Sequence, residues 1–367
     1  SLISSALVPH AAELFNHSAW FFMSLMIRLS HWAAQVPGGA VHVSAPPAIA
    51  FVFYYLLLGS LMAGGLIRLK WRVGLGVILG LLGIVWWIQD QSDREFTRLT
   101  ILPVSGGAAI YFQPARDPND LLIDCGNNSA VDFVLKPFLR AQGVNHLRSL
   151  LLTHGDVHHV GGARRIDEVF APRKIFCGEV PFRSKTYRDT LAHLERNPGQ
   201  VIRARRDTPI GPWTVLHPDR GDSFPQADDN SLVLLGRLEG VRVLLLSDLG
   251  KRGQNALIER YPGLRADVVI AGVPNQSEPL GESFLDAIQP RLILVTDSEY
   301  PATQRASRSV RTRLGGRNVP VLYTRETGAV ALIFREQRLA VKTIHGTNLT
   351  LDAEKTVRKA EDGVPER

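Results

Sequence analysis

The stretch "LLTHGDVHHVGGA", residues 151–163, decides how this chain is read. An apolar run, Leu150 to Leu152, stops at Thr153. Four residues of metal-ligand type follow within six positions: His154, Asp156, His158 and His159. Gly161 and Gly162 close the stretch. A buried strand ends rigidly, and alternate residues of an extended loop lie on one side. His154, Asp156 and His158 can therefore point together, and His159 can join from the start of the next helix. Imidazole and carboxylate ligands suit zinc or manganese. The competing reading is a polar helix entry capped by Thr153 or Asp156. Three histidines and an aspartate in so short a span favour the metal site.

Hydrophobic periodicity extends the reading outward. Strands are predicted at "RLTILPV", "AAIYFQP", "DLLIDCG", "LRSLLLT" and "RKIFCG". Helices are predicted over 129–142, where Val131, Val134, Leu135 and Phe138 recur at helical spacing, and over 184–196. In the second half come "GPWTVLHP", a hairpin turning at Glu239-Gly240, a helix over 253–260, "ADVVIAG", a helix over 282–288, "RLILVTD", a helix over 303–314, "VPVLYT" and a closing hairpin. Strands meander and then alternate with helices, twice over. That pattern is a layered α/β fold with sheets between helices.

The amino-terminal part differs. Residues 1–90 are apolar and nearly free of acids. Residues 48–67 form an uncharged twenty-mer, and a second apolar run covers 71–88. About twenty apolar residues cross the hydrocarbon core, and Trp71, Trp86 and Trp87 suit its interfaces. Both are read as transmembrane helices; a pair of buried core helices is the alternative. Residues 17–36 contain Arg28 and His31 and read as an amphipathic or membrane helix. The loop Arg68-Leu69-Lys70-Trp71-Arg72 favours the cytoplasmic side, which delivers residue 91 onward to the outer face. The expected plan is a membrane region over 1–90, an α/β domain over 91–348 and a polar, disordered tail over 349–367. The absence of an initial Met before such apolar sequence reads as the tail of a larger membrane protein. Cys125 and Cys177 make no disulfide framework and read as two buried thiols.

"THGDVHHVGG" resembles the His-x-Asp-x-Asp-His-x-Gly-Gly signature of metallo-β-lactamase-fold domains in ComEC-type competence proteins. "LLIDCGN", "VLHP", "DDNSLVL", "VLLLSDLG" and "SFLDAIQPRLILVTD" are similar to further pieces of that family, in the same order. "WAAQVPGGAVHVSAPP" and "FVFYYLLL" resemble the last spans of its transport domain. The resemblance implies a metallo-β-lactamase-like αββα sandwich preceded by transmembrane helices. It places the chain in a bacterial inner membrane and implies single-stranded DNA and other DNA-uptake components as partners. It also implies phosphodiester chemistry at a site of His154, Asp156, His158, His159 and Asp248. Asp156, His158 and Asp248 would be catalytic, with Asp124 supporting the ligands from behind.

The chain departs from that pattern in four places. His158 stands where the family has Asp. The family's Gly-His-His-Gly-Ser loop is replaced by "AGVPNQSEP", residues 271–279, which holds no histidine. "EYPATQ" lacks the late His-Pro, and "PVSGGAA" lacks the early acids. Half of the ligand set therefore remains, and one ion at most is expected. His217, in "VLHP", is the remaining candidate for a substitute ligand. A two-metal hydrolase needs both halves, so catalysis is less expected than binding.

The net charge is +7 and the isoelectric point about 9.6. Arg305, Arg308, Arg311, Arg313 and Arg317 lie in one acid-free stretch, and Arg203, Arg205 and Arg206 in another. A nucleic-acid surface at 305–313 is one reading; a solvated helix face or contact with lipid headgroups is the other. No aromatic residues interleave to stack bases. Three functions remain open: a metal-dependent phosphodiesterase, a non-catalytic domain that guides DNA, and a membrane-tethered hydrolase of a small ester.

Overall fold

The computed structural model describes residues 9–36, 39, 41–44, scattered positions between 51 and 83, 95–335 and 337–352. The chain divides into two compact units, Ser1–Val43 and Ser44–Arg367. In the first unit a single helix, Pro9–Gln35, is longer than the expected 17–36. Proline is well suited to the first helical position, where its missing N–H costs nothing. Trp20, Phe22, Met26 and Trp32 on this helix are all more than half exposed. No helix among the described residues is long and apolar enough to cross a membrane. The candidate spans 48–67 and 71–88 lie outside the described residues, apart from isolated helical positions.

In the second unit, alternation along the strands builds two sheets. The strands of the first are β1 (Thr97–Val104), β2 (Gly107–Gln113), β3 (Leu121–Ile123), β4 (Ser149–Leu152), β5 (Lys174–Gly178) and β6 (Val201–Ala204). The second sheet holds β7 (Pro209–Ile210), β8 (Trp213–His217), β9 (Val233–Leu238), β10 (Val241–Ser247), β11 (Val268–Ala271), β12 (Leu292–Val295) and β13 (Val321–Tyr323). The chain then returns to the first sheet as β14 (Val330–Arg335), β15 (Arg338–Thr343) and β16 (Asn348–Asp352). The order in the first sheet is β16-β15-β14-β1-β2-β3-β4-β5-β6, and in the second β13-β12-β11-β10-β9-β8-β7. β3 to β6 run parallel, as do β10 to β13.

Leu99 and Ile101 on β1 enter a core shared with Trp213, Val243 and Ile270 of the facing sheet. Leu102 and Val104 on the same strand face the other way, into a core closed by helical residues. Val131, Leu135, Leu139, Ile166 and Phe170 supply that outer layer on the first sheet. Leu257, Leu285, Ile288, Val310 and Leu314 supply its counterpart on the second. The result is an αββα sandwich.

Several boundaries move for local reasons. The helix expected over 303–314 begins at Arg308, because Ser307 Oγ accepts from Val310 N at 3.2 Å and fixes the start there. Asn127 Oδ1 caps the helical segment beginning at Asn128, and Val131–Leu135 within it is wound as a π turn. Glu239 and Gly240 both take positive φ, 48° and 87°, as a two-residue hairpin of type I′ requires. β16 corrects the expected tail: residues 348–352 pair antiparallel with β15, and alternating Leu349 and Leu351 pack on the inter-sheet core. Residues 353–367 lie outside those described. Cys125 and Cys177 are both free and buried.

Candidate metal centre

The ends of three strands build the site. β3 ends at Asp124, whose φ of 56° turns its side chain back under β4. Asp124 N donates to Leu151 O at 2.8 Å and Cys125 N to His159 O at 2.9 Å, so the two loops are tied together. β10 ends in an irregular register against β11, and Ser247 takes φ 51°. Such a bulge re-aims the following side chain, here Asp248.

His154, His159 and Asp248 converge: their ligand atoms lie within 4.8 Å of one another. All three side chains are buried, as is Asp124. His159 is held at both ring nitrogens. Nδ1 lies 2.7 Å from Asp124 Oδ2, and Nε2 lies 3.1 Å from Asp248 Oδ2. Asp124 in turn accepts from Thr153 N at 2.8 Å and from Thr153 Oγ1 at 2.7 Å. Thr153 Oγ1 also lies 3.0 Å from His154 Nδ1 and 2.8 Å from Ser247 Oγ. Each imidazole thus has Nδ1 engaged by an oxygen behind it. His154 Nε2 is buried without a partner.

An unpartnered buried ring nitrogen is costly, and beside a second imidazole and a carboxylate it fits a cation. A carboxylate behind a ligating histidine is the usual means of orienting it. The three residues fit one divalent ion.

Charge in the metal-free cluster follows from these contacts. Burial would depress the His159 imidazole, but the Asp248 and Asp124 carboxylates outweigh it and hold its pKa well above the usual value. Burial and the neighbouring His159 push His154 down to about 4.

Asp156 and His158 are not among the three residues whose ligand atoms converge, although the Asp156 carboxylate is close enough to act on both His154 and His159. Asp156 is the N-cap of the Val157–Val160 helix: its Oδ1 accepts from His158 N at 2.8 Å. Its Oδ2 accepts from Asn275 Nδ2 at 3.1 Å. The capping reading and the ligand cluster thus coexist in one loop. The His158 ring lies over Gly106, where a Cβ would come within 2.5 Å of Nδ1. His217 is fully buried on β8 and donates Nε2–H to Asp229 O at 2.8 Å. It pins the 228–230 turn, away from the cluster.

That turn brings Asp228 to the site, a residue sequence reasoning passed over. Burial raises its pKa to about 6, and the Asp248 and Asp156 carboxylates add to the rise. Its Oδ2 accepts from Asn275 N at 2.7 Å. Asn275 therefore links Asp228 and Asp156 across the cleft, and Gln304 Nε2 reaches its Oδ1 at 3.2 Å. Only the two acids of "DDNS" followed by an apolar strand hinted at this.

The expected nucleic-acid surface is largely internally paired. Arg305 bonds Glu299, Arg311 bonds Glu326, and Arg313 donates to the carbonyls of Leu280 and Pro279. Arg317 pairs with Glu282 and Asp286. Arg203, Arg205 and Arg206 pair with Glu195, Glu179 and Asp219. Arg308 is exposed and makes no ion pair among the described residues.

Residues 116–290 match the metallo-beta-lactamase superfamily. The chain is 23% identical over 342 residues to ComE operon protein 3 of Bacillus subtilis (strain 168), covering 87% of this chain and 44% of that protein. It is 24% identical over 313 residues to competence protein ComA of Neisseria gonorrhoeae, covering 84% of this chain and 42% of that protein. The chain thus spans less than half the length of these curated relatives. Among solved structures, Igni18, a metallo hydrolase from the archaeon Ignicoccus hospitalis, is similar at 15% identity and a TM-score of 0.42, covering 65% of this chain and 100% of that one. Residues 116–290 thus match the metallo-beta-lactamase superfamily, whose fold the two layered sheets fit; His154, His159 and Asp248 could hold a divalent metal, and the chain is similar to competence proteins.

Proposed function

We propose that this chain is part of a ComEC-like DNA-uptake protein of the bacterial inner membrane. Its metallo-β-lactamase-fold domain handles single-stranded DNA at a one-ion phosphodiesterase-type site. The observation that carries this reading is the convergence of His154, His159 and Asp248, with His159 oriented by Asp124. A bound zinc or manganese ion would supply Lewis acidity toward a phosphodiester oxygen and lower the pKa of a nearby water. Asp124 holds the His159 tautomer, and Thr153 and Ser247 hold His154. Asp228, near the ligands and with a pKa of about 6, is positioned to exchange a proton close to neutrality. Asp156 and His158, expected as ligands or bases, line the mouth of the cleft in this proposal.

A second reading is supported by one observation. Residues 271–279 offer no histidine; Val273 is buried, and Asn275 is bonded to both Asp228 and Asp156. A domain that binds DNA beside one ion without cutting it fits that loop.

The test is a labelled single-stranded oligonucleotide incubated with the chain and manganese or zinc, beside His159→Ala. The first reading expects slow cleavage, lost in the variant. Binding without cleavage selects the second. Neither binding nor cleavage sinks both. Because most arginines of 305–317 are paired, the salt dependence should be shallow, about one to three phosphate contacts.

We also propose that residues 91–367 lie outside the cytoplasm, which the basic Arg68–Arg72 loop supports. Cysteine labelling that placed residue 200 in the cytoplasm would overturn this.

A further inference from the structure

The parallel strands β3, β4 and β5 run toward the candidate metal centre, whose His154 and His159 follow β4. Their amino ends open on a different cleft, of about 410 Å³. With a rise of about 3.3 Å per residue, the two lie roughly 15 Å apart along β4. The volume falls within the range of about 300–1,000 Å³ common to small-molecule sites.

Three cations line the cleft: Arg148, just before β4, and Arg173 and Lys174, at the start of β5. Arg173 and Lys174 make no ion pair among the described residues, and Arg148 acts on the Asp120 carboxylate without a direct ion-pair contact, whereas the arginines of 203–206 and most of those at 305–317 are paired. Arg173 and Lys174 are exposed. Two acids temper the charge. Asp120 is buried and already accepts from Arg148 N at 2.8 Å and Tyr111 OH at 3.0 Å. Asp117 is exposed, and its Oδ1 accepts from Asn119 N at 2.9 Å.

The floor is apolar, formed by Phe112 and Phe176 from the inter-sheet core. The Asn119 amide lines the wall and makes no side-chain hydrogen bond among the described residues. One side of the cleft is thus cationic. The other offers an amide and a carboxylate over aromatic carbon. A bare anion would use only the first. A ligand with a phosphate at one end and a flat, hydrogen-bonding ring at the other would use both.

We propose that this cleft binds a nucleoside 5′-phosphate, with the phosphate between Arg148, Arg173 and Lys174 and the base toward Asn119 and Asp117. The ligand is either a free mononucleotide or the 5′-phosphorylated end of a strand. The inference does not depend on the metal centre, and the experiment separates the two.

The experiment is equilibrium dialysis of the full chain against labelled dAMP, with deoxyadenosine and inorganic phosphate as competitors. We expect saturable binding of dAMP and at least tenfold weaker competition by either fragment. Arg173→Glu with Lys174→Glu should weaken dAMP binding at least tenfold while metal binding persists. Arg173→Gln alone, a milder change, should weaken it several-fold. His154→Ala should remove the metal and leave dAMP binding intact. Competition by a 5′-phosphorylated oligonucleotide, and none by its 5′-hydroxyl form, assigns the site to strand ends; no competition by either assigns it to free nucleotide. Absence of dAMP binding to the wild type, equal competition by inorganic phosphate, or unchanged binding in the folded double variant would overturn the proposal.

Discussion

Gly272 and Asp248 are in closer contact than any other residue type at 272 would permit. A Cβ on Gly272 would sit 1.8 Å from Asp248 Oδ1. The carboxylate lies flat against bare backbone, and Gly272 N is itself bonded to Ser247 O at 2.7 Å. Neither side can yield without moving the ligand.

Gly272→Ala is therefore expected to reduce metal affinity at least tenfold while the domain still folds. Overpacking of this kind costs about 1–3 kcal/mol. Metal titration and thermal unfolding of the same sample check both halves. Unchanged affinity would mean that Asp248 is not held where the metal needs it.

Metal stoichiometry should be one. His154→Ala, His159→Ala and Asp248→Ala should each abolish binding, because three ligands leave no reserve. Asp156→Ala and His158→Ala should weaken it by less than tenfold. Two ions bound by the wild type, or complete loss in the last two variants, would show that the cluster is larger than the three residues brought together here.

Metal binding should release protons. In the metal-free protein the Asp248 and Asp124 carboxylates raise the pKa of His159 well above the usual value and favour its protonated form, and a ligand must be deprotonated. Affinity should therefore fall as pH falls, by about tenfold per unit below that pKa. Calorimetry in buffers of different ionisation enthalpy reads the proton count directly.

Asp228 makes a stability prediction. Burial raises its pKa to about 6 in the fold, against an ordinary carboxyl value of 3.8. The folded state thus binds the extra proton between those values, and stability is lost as pH rises through that window. Above it the carboxylate is a standing cost. Asp228→Asn keeps an acceptor for Asn275 N and should stabilise the metal-free protein at pH 8 by up to about 3 kcal/mol. At pH 4 it should change little. Urea unfolding at the two pH values tests the difference; equal effects would refute the assignment.

His217→Ala should cost roughly 2–4 kcal/mol, because it leaves the buried Asp229 carbonyl without its donor and opens a cavity beneath the turn. The same variant should still bind one ion. Loss of the metal with stability unchanged would instead make His217 a ligand.

The sheets and the His154–His159 pair were legible in the sequence because each depends on short-range pattern. Alternation marks strands, and an apolar run ending in histidines marks a strand end. Asp228 and Asn275 were not legible, since their approach to Asp156 depends on two loops of different strands meeting across the cleft. The pairing of the arginine stretch was only partly legible: Glu299 and Glu326 flank it closely, but Glu278, Glu282 and Asp286 come from an upstream loop and helix that only the fold brings beside it. β16 was obscured by its polar residues, because an edge strand needs only Leu349 and Leu351 to reach the core.

The return of β14 to pair with β1 governs how this domain is assembled. β1 acquires that neighbour from a segment that begins about 230 residues further along the chain, a very non-local contact of the kind that slows folding. Until it arrives, β1 has one open edge rich in Leu and Ile, able to pair with the wrong strand. During synthesis, the second sheet is complete before the first is closed. A nascent chain that has emerged from the ribosome only as far as residues 323–330 would therefore carry a finished β7–β13 sheet and an unsealed partner. That species is where aggregation, or a chaperone, would compete with folding.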